Sequence, residues 1–253
     1  MKKIALITGA TSGIGEACAK ILAANGYELI LTGRRQERLE SIRAALEQSH
    51  GTSVLTLQLD VRDKNEVENK LNQLPEKWQH ISVLINNAGL ALGRDNFADA
   101  NLADWENMMQ TNVMGVMYVT KAVLPMLQKK SNAHIINIGS IAGKEVYENG
   151  NGYCASKFAI DALSKSMRID LLRTGIKVTV IHPGAANTEF SLVRYKGDQK
   201  KADATYNGFT PMTGKDIADA IYYCIQLPPH VCINELVIMP TAQASSMHFH
   251  KQD

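Results

Sequence analysis

Short apolar runs and longer amphipathic stretches alternate along the chain. The runs Ile4–Thr8, Glu28–Thr32, Val54–Leu59, Val83–Asn86, Ile135–Ile138, Val178–Ile181 and Leu236–Met239 are rich in Ile, Val and Leu. Their apolar residues follow one another, the pattern of strands buried on both faces. Between them, Gly15–Ala24, Arg35–Glu47, Asn65–Leu74, Leu102–Gln128, Tyr153–Arg173 and Gly214–Ile225 carry apolar residues at helical period. Such alternation predicts a parallel sheet covered on both faces by helices. Right-handed crossovers then make it doubly wound. The expectation is an α/β chain, one Rossmann-type domain over residues 1–253 around a seven-stranded parallel sheet.

In such a sheet ligands bind outside the carboxyl ends of the strands, so the residues that follow each apolar run matter most. After the first run comes Thr8-Gly9-Ala10-Thr11-Ser12-Gly13-Ile14-Gly15. Glycines at this spacing permit a tight strand-to-helix turn and let backbone approach a pyrophosphate at the helix N-terminus. Gly9, Thr11, Ser12, Gly13, Ile14 and Gly15 are therefore candidate cofactor ligands. Three glycines also make an ordinary turn, but their place after the first strand of a βαβ unit favours a dinucleotide.

The end of the second strand chooses the dinucleotide. An acid there binds the adenosine ribose of NAD, whereas this chain has Arg34 and Arg35. Guanidiniums pair with a 2′-phosphate through charge-assisted hydrogen bonds. The two arginines also suit the start of a solvated helix, and the missing acid favours NADP. Asp60 and Val61, after the third run, are expected near the adenine.

Two further strand ends and one helix start carry polar signals: Asn86-Asn87-Ala88-Gly89, Gly139-Ser140, and Tyr153-x-x-x-Lys157 at the start of the next helix, with Asn112 in the long helix before it. Each is unremarkable alone. With the glycine turn and Pro183-Gly184, in this order, the chain resembles the short-chain dehydrogenase/reductase family over nearly its full length. The resemblance implies catalytic roles for Asn112, Ser140, Tyr153 and Lys157. It implies cofactor contacts for Asn87, Ala88, Gly89, Tyr153, Lys157, Pro183, Gly184 and Thr188, a proton relay through Asn112, and homotetramers built from paired helices.

The chemistry fits independently. Reducing a carbonyl by hydride leaves an alkoxide that needs a proton, while the cofactor carries the hydride. A phenol near its ordinary value of about 10 is a poor partner at neutral pH. Lys157 shares a helix face with Tyr153 and is expected to lower that value. The Ser140 hydroxyl is placed to hold the reacting oxygen and so to contact substrate.

Substrate choice is expected in the segment of about 185–213. Its stretch Thr188-Glu189-Phe190-Ser191-Leu192-Val193-Arg194-Tyr195-Lys196-Gly197-Asp198 resembles a narrower group, the NADP-dependent 3-hydroxy acid dehydrogenases. They act on serine, allo-threonine and 3-hydroxypropionate-type acids and the matching 3-oxo acids. A small acid needs a cation for its carboxylate, and Arg194 or Lys196 sits where one is needed, Arg194 being preferred for its bidentate fork. Rival readings are the same chemistry on a sugar, polyol, diketone or steroid, and an NADP-sensing regulator without turnover. Retention of Ser140, Tyr153 and Lys157 opposes the regulator.

Composition narrows the partners. With 27 Lys+Arg against 25 Asp+Glu, the net charge of +2 offers no whole-molecule field for nucleic acid. The longest apolar run, Ala220–Ile225, is far short of the ~20 residues that span a bilayer, and no membrane partner is expected. Four cysteines without a C-x-x-C pair read as reduced thiols of a cytoplasmic protein. His248 and His250 lack a third ligand, so no metal is expected and they read as part of a mobile or packing tail.

Overall fold

A computed structural model describes residues 2–252. Strands β1 (Ile4–Thr8), β2 (Glu28–Gly33), β3 (Val54–Gln58), β4 (Ile81–Asn86), β5 (His134–Ile138), β6 (Lys177–Pro183) and β9 (Glu235–Ile238) form one seven-stranded sheet in the order β3-β2-β1-β4-β5-β6-β9. Every neighbouring pair is parallel. The chain starts at the centre and winds outward to both edges, so the order reverses between β1 and β4. A crevice opens at that reversal.

The runs are continuous because the central strands are covered on both faces. In β1, Ala5 and Ile7 join the core under α1 (Gly13–Ala24) and α9 (Gly214–Gln226), together with Cys18, Leu22, Ile217 and Ile221. Ile4 and Leu6 point the other way, to Val67 and Leu71 of α3 (Lys64–Asn72) and Val119 and Val123 of α5 (Gly115–Leu127). Two cores thus grip the sheet, and α2 (Gln36–His50) closes the first beside β3.

Burial on both faces fails at the edges. In β3 only Val54 is buried and Gln58 is exposed, and in β9 Val237 is 48% exposed. An edge strand has one neighbour and incomplete helical cover, so its apolar run lies partly open.

The single long helix expected over Leu102–Gln128 is also modified. It runs as α4 (Leu102–Met109), a π-helical turn Gln110–Met114, and α5. The wider turn holds Asn112 with its side chain directed into the molecule, where its amide serves the loop after β4. Helix α6 spans Asn151–Asp170 and presents Tyr153 and Lys157 from its first two turns.

Between β6 and α9 the chain makes an excursion through β7 (Ala186–Asn187), α7 (Glu189–Arg194), α8 (Gln199–Ala204) and β8 (Met212–Thr213). The β7–β8 pair ties its ends together. After β9, residues 243–252 fold back onto it: Gln243 bridges Phe249, the Phe209 and Phe249 ring centroids lie 5.1 Å apart, and the Gln252 amide donates to the Gly208 carbonyl. No helix among the described residues is long and apolar enough to cross a membrane.

Candidate active site

A cleft of about 1010 Å³ runs along the carboxyl edge of the sheet, from the turn after β2 to the excursion and the C-terminal fold-back. Its first half is built by the turn between β1 and α1. Gly9 and Gly13 take φ of +64° and +56°, the left-handed region that favours glycine. Asn87 stitches this turn to the end of β4: its Nδ2 donates to the Thr8 and Gly9 carbonyls at 2.9 and 3.0 Å, and Thr8 Oγ1 accepts from the Asn87 and Ala88 amides.

Ser12 stands at the N-cap of α1 but makes no side-chain cap. Its hydroxyl accepts from Arg35 instead, at 3.0 Å, and Thr11 Oγ1 accepts from Arg35 Nε and Nη2 at 3.1 and 2.8 Å. The first amides of α1 therefore face the cleft without a side-chain partner, which is what an anion needs at a helix N-terminus. Arg35 also pairs with Glu189 at 2.8 Å, joined there by Arg38, while Arg34 projects into solvent at the cleft mouth. Asp60 and Val61 line the adjoining wall. Arg62, through its hydrogen bonds, holds the Asp60 carboxyl below its ordinary range.

The second half gathers the polar strand ends. Ser140 is buried and caps the turn Ile141–Gly143, its Oγ accepting from the Ala142 amide at 3.1 Å. Across from it stands Tyr153, also buried, its ring tilted against Phe190 with centroids 5.5 Å apart. Lys157 lies one turn further along α6, and its Nζ donates to the Ile138 carbonyl at 2.9 Å. Burial pushes the Lys157 ammonium down to about 8.

Burial also raises the Tyr153 phenol above its ordinary value, helped by the neighbouring Tyr147, and the Ser140 hydroxyl and Arg194 only partly reverse the shift. The expected effect of Lys157 on Tyr153 therefore needs correcting. Its Nζ is 5.8 Å from the ring centroid, and it does not offset the burial that raises the phenol. In this state the proton is held firmly on the phenol.

Arg194 closes the far side. Its Nη2 donates to the Tyr147 hydroxyl at 2.8 Å, and its Cζ lies 5.5 and 5.4 Å from the ring centroids of Tyr147 and Tyr153. Lys196, the alternative cation, pairs with Asp104 at 2.8 Å and stays off the cleft wall. Thr188 caps α7, accepting from the Phe190 amide, and lines the cleft with Ile14, Pro183 and Gly184.

A sequence model of the short chain dehydrogenase family matches residues 3–198. The chain is a short-chain dehydrogenase. It is 46% identical over 242 residues to an NADP-dependent 3-hydroxy acid dehydrogenase of Salmonella typhi, covering 95% of this chain and 96% of that one. It is equally, 46%, identical to sulfoacetaldehyde reductase 2 of Chromohalobacter salexigens, with 97% of each chain covered. Among solved structures, the closed form of a serine dehydrogenase complexed with NADP+ superimposes with a TM-score of 0.91 at 43% identity, covering 98% of this chain and 100% of that one.

Besides Lys196, two of the residues singled out from the dehydrogenase sequence, Gly15 and Asn112, lie off the cleft wall. Gly15 packs behind the first turn, where a Cβ would come within 2.4 Å of the Gly9 carbonyl oxygen and of Asn87 Nδ2. Asn112 sits beneath the site with both amide protons spent, on the Leu90 carbonyl at 2.8 Å and Ser156 Oγ at 3.0 Å, while its Oδ1 accepts from the Leu90 amide. Tyr147, Phe190 and Tyr206, which line the second half, escaped the sequence reading, as did Gln243, Met247 and Phe249 of the fold-back. Phe190 lies inside the stretch that resembles the 3-hydroxy acid group and was findable there. The fold-back has no periodicity and no motif to announce it. His248 bonds Ser245 Oγ at 2.7 Å within that fold-back.

Proposed function

We propose that this short-chain dehydrogenase interconverts small 3-hydroxy acids and 3-oxo acids with NADP(H). The observation that carries the reading is Arg194, a guanidinium held by Tyr147 and set against the Tyr153 ring, in the same cleft as Arg34, Arg35 and the open N-terminus of α1. One end of the cleft thus suits the phosphates of a dinucleotide and the other a small carboxylate. The relatives named for 3-hydroxy acids and serine, and the NADP+ complex, support the same assignment.

The residues fit the cofactor. Arg34 and Arg35 would receive the 2′-phosphate, Thr11–Ile14 and the first amides of α1 the pyrophosphate, and Asp60 and Val61 would lie beside the adenine. Asn87–Gly89, Lys157, Pro183, Gly184 and Thr188 would hold the nicotinamide riboside. Bound there, NADP(H) supplies or accepts the hydride. Tyr153 gives the proton to the substrate oxygen in reduction and takes it back in oxidation, and Ser140 holds that oxygen by a hydrogen bond. Lys157 fixes the ribose and passes protons behind Tyr153. Asn112 acts from below: its Oδ1 and Lys157 Nζ both face Gly89. The excursion of about 185–213 forms the substrate wall, and the apolar side chains exposed on α4, α5 and α6 assemble a homotetramer.

A sulfonate carries the same single charge as a carboxylate, and Arg194 with Tyr147 suits either. Sulfoacetaldehyde is therefore the second substrate to test, in keeping with the reductase relatives.

Following NADP reduction with serine, allo-threonine, 3-hydroxypropionate, 3-hydroxyisobutyrate, isethionate and neutral alcohols, each repeated with NAD, tests the reading. Acidic alcohols with NADP are expected to be the substrates. Turnover confined to neutral alcohols overturns the acid assignment, and preference for NAD overturns the role of the arginine pair. Tyr153→Phe should fold, bind NADPH and lose about 10²–10⁴-fold in kcat. Unchanged turnover there overturns the role given to the phenol.

A further inference from the structure

Below Ser140 lies a buried polar cluster that none of the assigned roles uses. His182 is fully buried in β6, next to the strand end that carries Ser140. Its Nδ1 is 2.9 Å from the Ser140 carbonyl oxygen. A carbonyl only accepts, so Nδ1 carries the proton and donates. The ring fills the space beside Gly139, where a Cβ would come within 2.7 Å of Nδ1. The opposite nitrogen, Nε2, makes no hydrogen bond and faces Asp161 Oδ1 at 3.4 Å.

Asp161 is one helical turn beyond Lys157 on α6, so Tyr153, Lys157 and Asp161 share a face. Lys144, just past the turn that Ser140 caps, bridges Asp161 at 2.9 Å and Glu235 of β9 at 2.6 Å. Lys165 pairs with the same two acids at 2.8 and 3.4 Å. The ligand atoms of Asp161, His182 and Glu235 lie within 4.8 Å of one another, as around a metal, but the two ammoniums already balance both carboxylates.

The segment Ser140–Lys144 is therefore pinned at both ends. His182 holds its first carbonyl, and Lys144 ties its last residue to the helix that carries Tyr153. We infer that His182, with the Lys144–Asp161–Glu235 cluster, is a positioning device that fixes the Ser140 hydroxyl against Tyr153. This rests on Ser140 being the group that holds the substrate oxygen. The Ser140 carbonyl also accepts from the Gly143 amide at 2.8 Å inside its own turn, so His182 is the donor that ties this turn to β6. Without it the turn is free to shift as a unit, and a 1 Å displacement of a reacting group costs about 10²-fold in rate.

The experiment is a double-mutant cycle in the full-length enzyme. His182→Phe keeps the ring and removes the donor; it is expected to lower kcat about 10- to 100-fold, with KM changed less than threefold and NADPH affinity unchanged. His182→Asn returns an N–H near the Nδ1 position and should recover most of the loss. In a Ser140→Ala background, His182→Phe should cost less than threefold further, because the group it positions is gone. If His182→Phe does not fold, Lys144→Met, which cuts the other anchor at a half-buried site, carries the same expectation in both backgrounds.

Turnover of His182→Phe within twofold of the parent overturns the inference. So do losses that multiply fully in the Ser140→Ala background, which mark a general structural role. If Ser140→Ala itself leaves turnover unchanged, the functional reading of the site falls and takes this inference with it. Loss in Ser140→Ala without loss in His182→Phe removes the inference alone.

Discussion

Lys157 and Tyr153 show how burial governs single residues. The lysine is buried with one hydrogen bond to a carbonyl, and its value falls from 10.5 to about 8. Below pH 8 both folded and unfolded chains hold the proton, and the full cost of burying the charge is present. Between pH 8 and 10 the folded chain has lost a proton that the unfolded chain keeps, so stability rises with pH. Tyr153, whose value is raised, works the other way, but only above its ordinary value of 10. In urea titrations at pH 8, 9 and 10 the parent without cofactor is expected to gain about 2 kcal/mol more than Lys157→Met. Equal gains in both proteins contradict this picture of Lys157. The residue types and spacing of Ser140, Tyr153 and Lys157 were legible in the sequence. The direction of the Tyr153 shift was not, because it depends on how much water the packed fold removes.

Among the elements, α7 joins the two ends of the cleft. Its first residue, Glu189, meets Arg35 and Arg38 beside the cofactor half, and its last, Arg194, lies against Tyr147 and Tyr153 in the substrate half. A helix of six residues thus ties the arginines of one site to the arginine of the other. If Arg194 receives the carboxylate, Arg194→Met should raise KM for hydroxy acids by about 10- to 100-fold, the cost of a charge-assisted hydrogen bond, and alter KM for neutral alcohols less than threefold. Steady-state kinetics with both substrate types decide; equal effects refute carboxylate recognition. The strands and longer helices were visible as hydrophobic periods. Two features were not: the π-helical turn at Gln110–Met114 and the short elements of the excursion. Both carry contacts between residues well separated in sequence, Asn112 with Leu90 and Ser191 with Tyr206, which no local pattern shows.

At the scale of the molecule, Leu102, Met109 and Met117 on α4 and α5, and Phe158 and Ile169 on α6, expose large apolar side chains on neighbouring helices. Such side chains are what the proposed helix-paired homotetramer would cover. Sedimentation equilibrium is expected to give the mass of four chains, and a single-chain mass removes the tetramer. The sequence by itself determined the doubly wound sheet, since continuous apolar runs separated by helical periods have few other ways to bury both faces. It also determined which residues close each strand, and hence the chemistry collected at the carboxyl edge. Only the tertiary structure decided that Arg194 rather than Lys196 enters the cleft, that burial holds the proton on Tyr153, and that His182 stands beneath Ser140. These outcomes depend on distances and on water removed between residues far apart in the chain, and no local pattern encodes them.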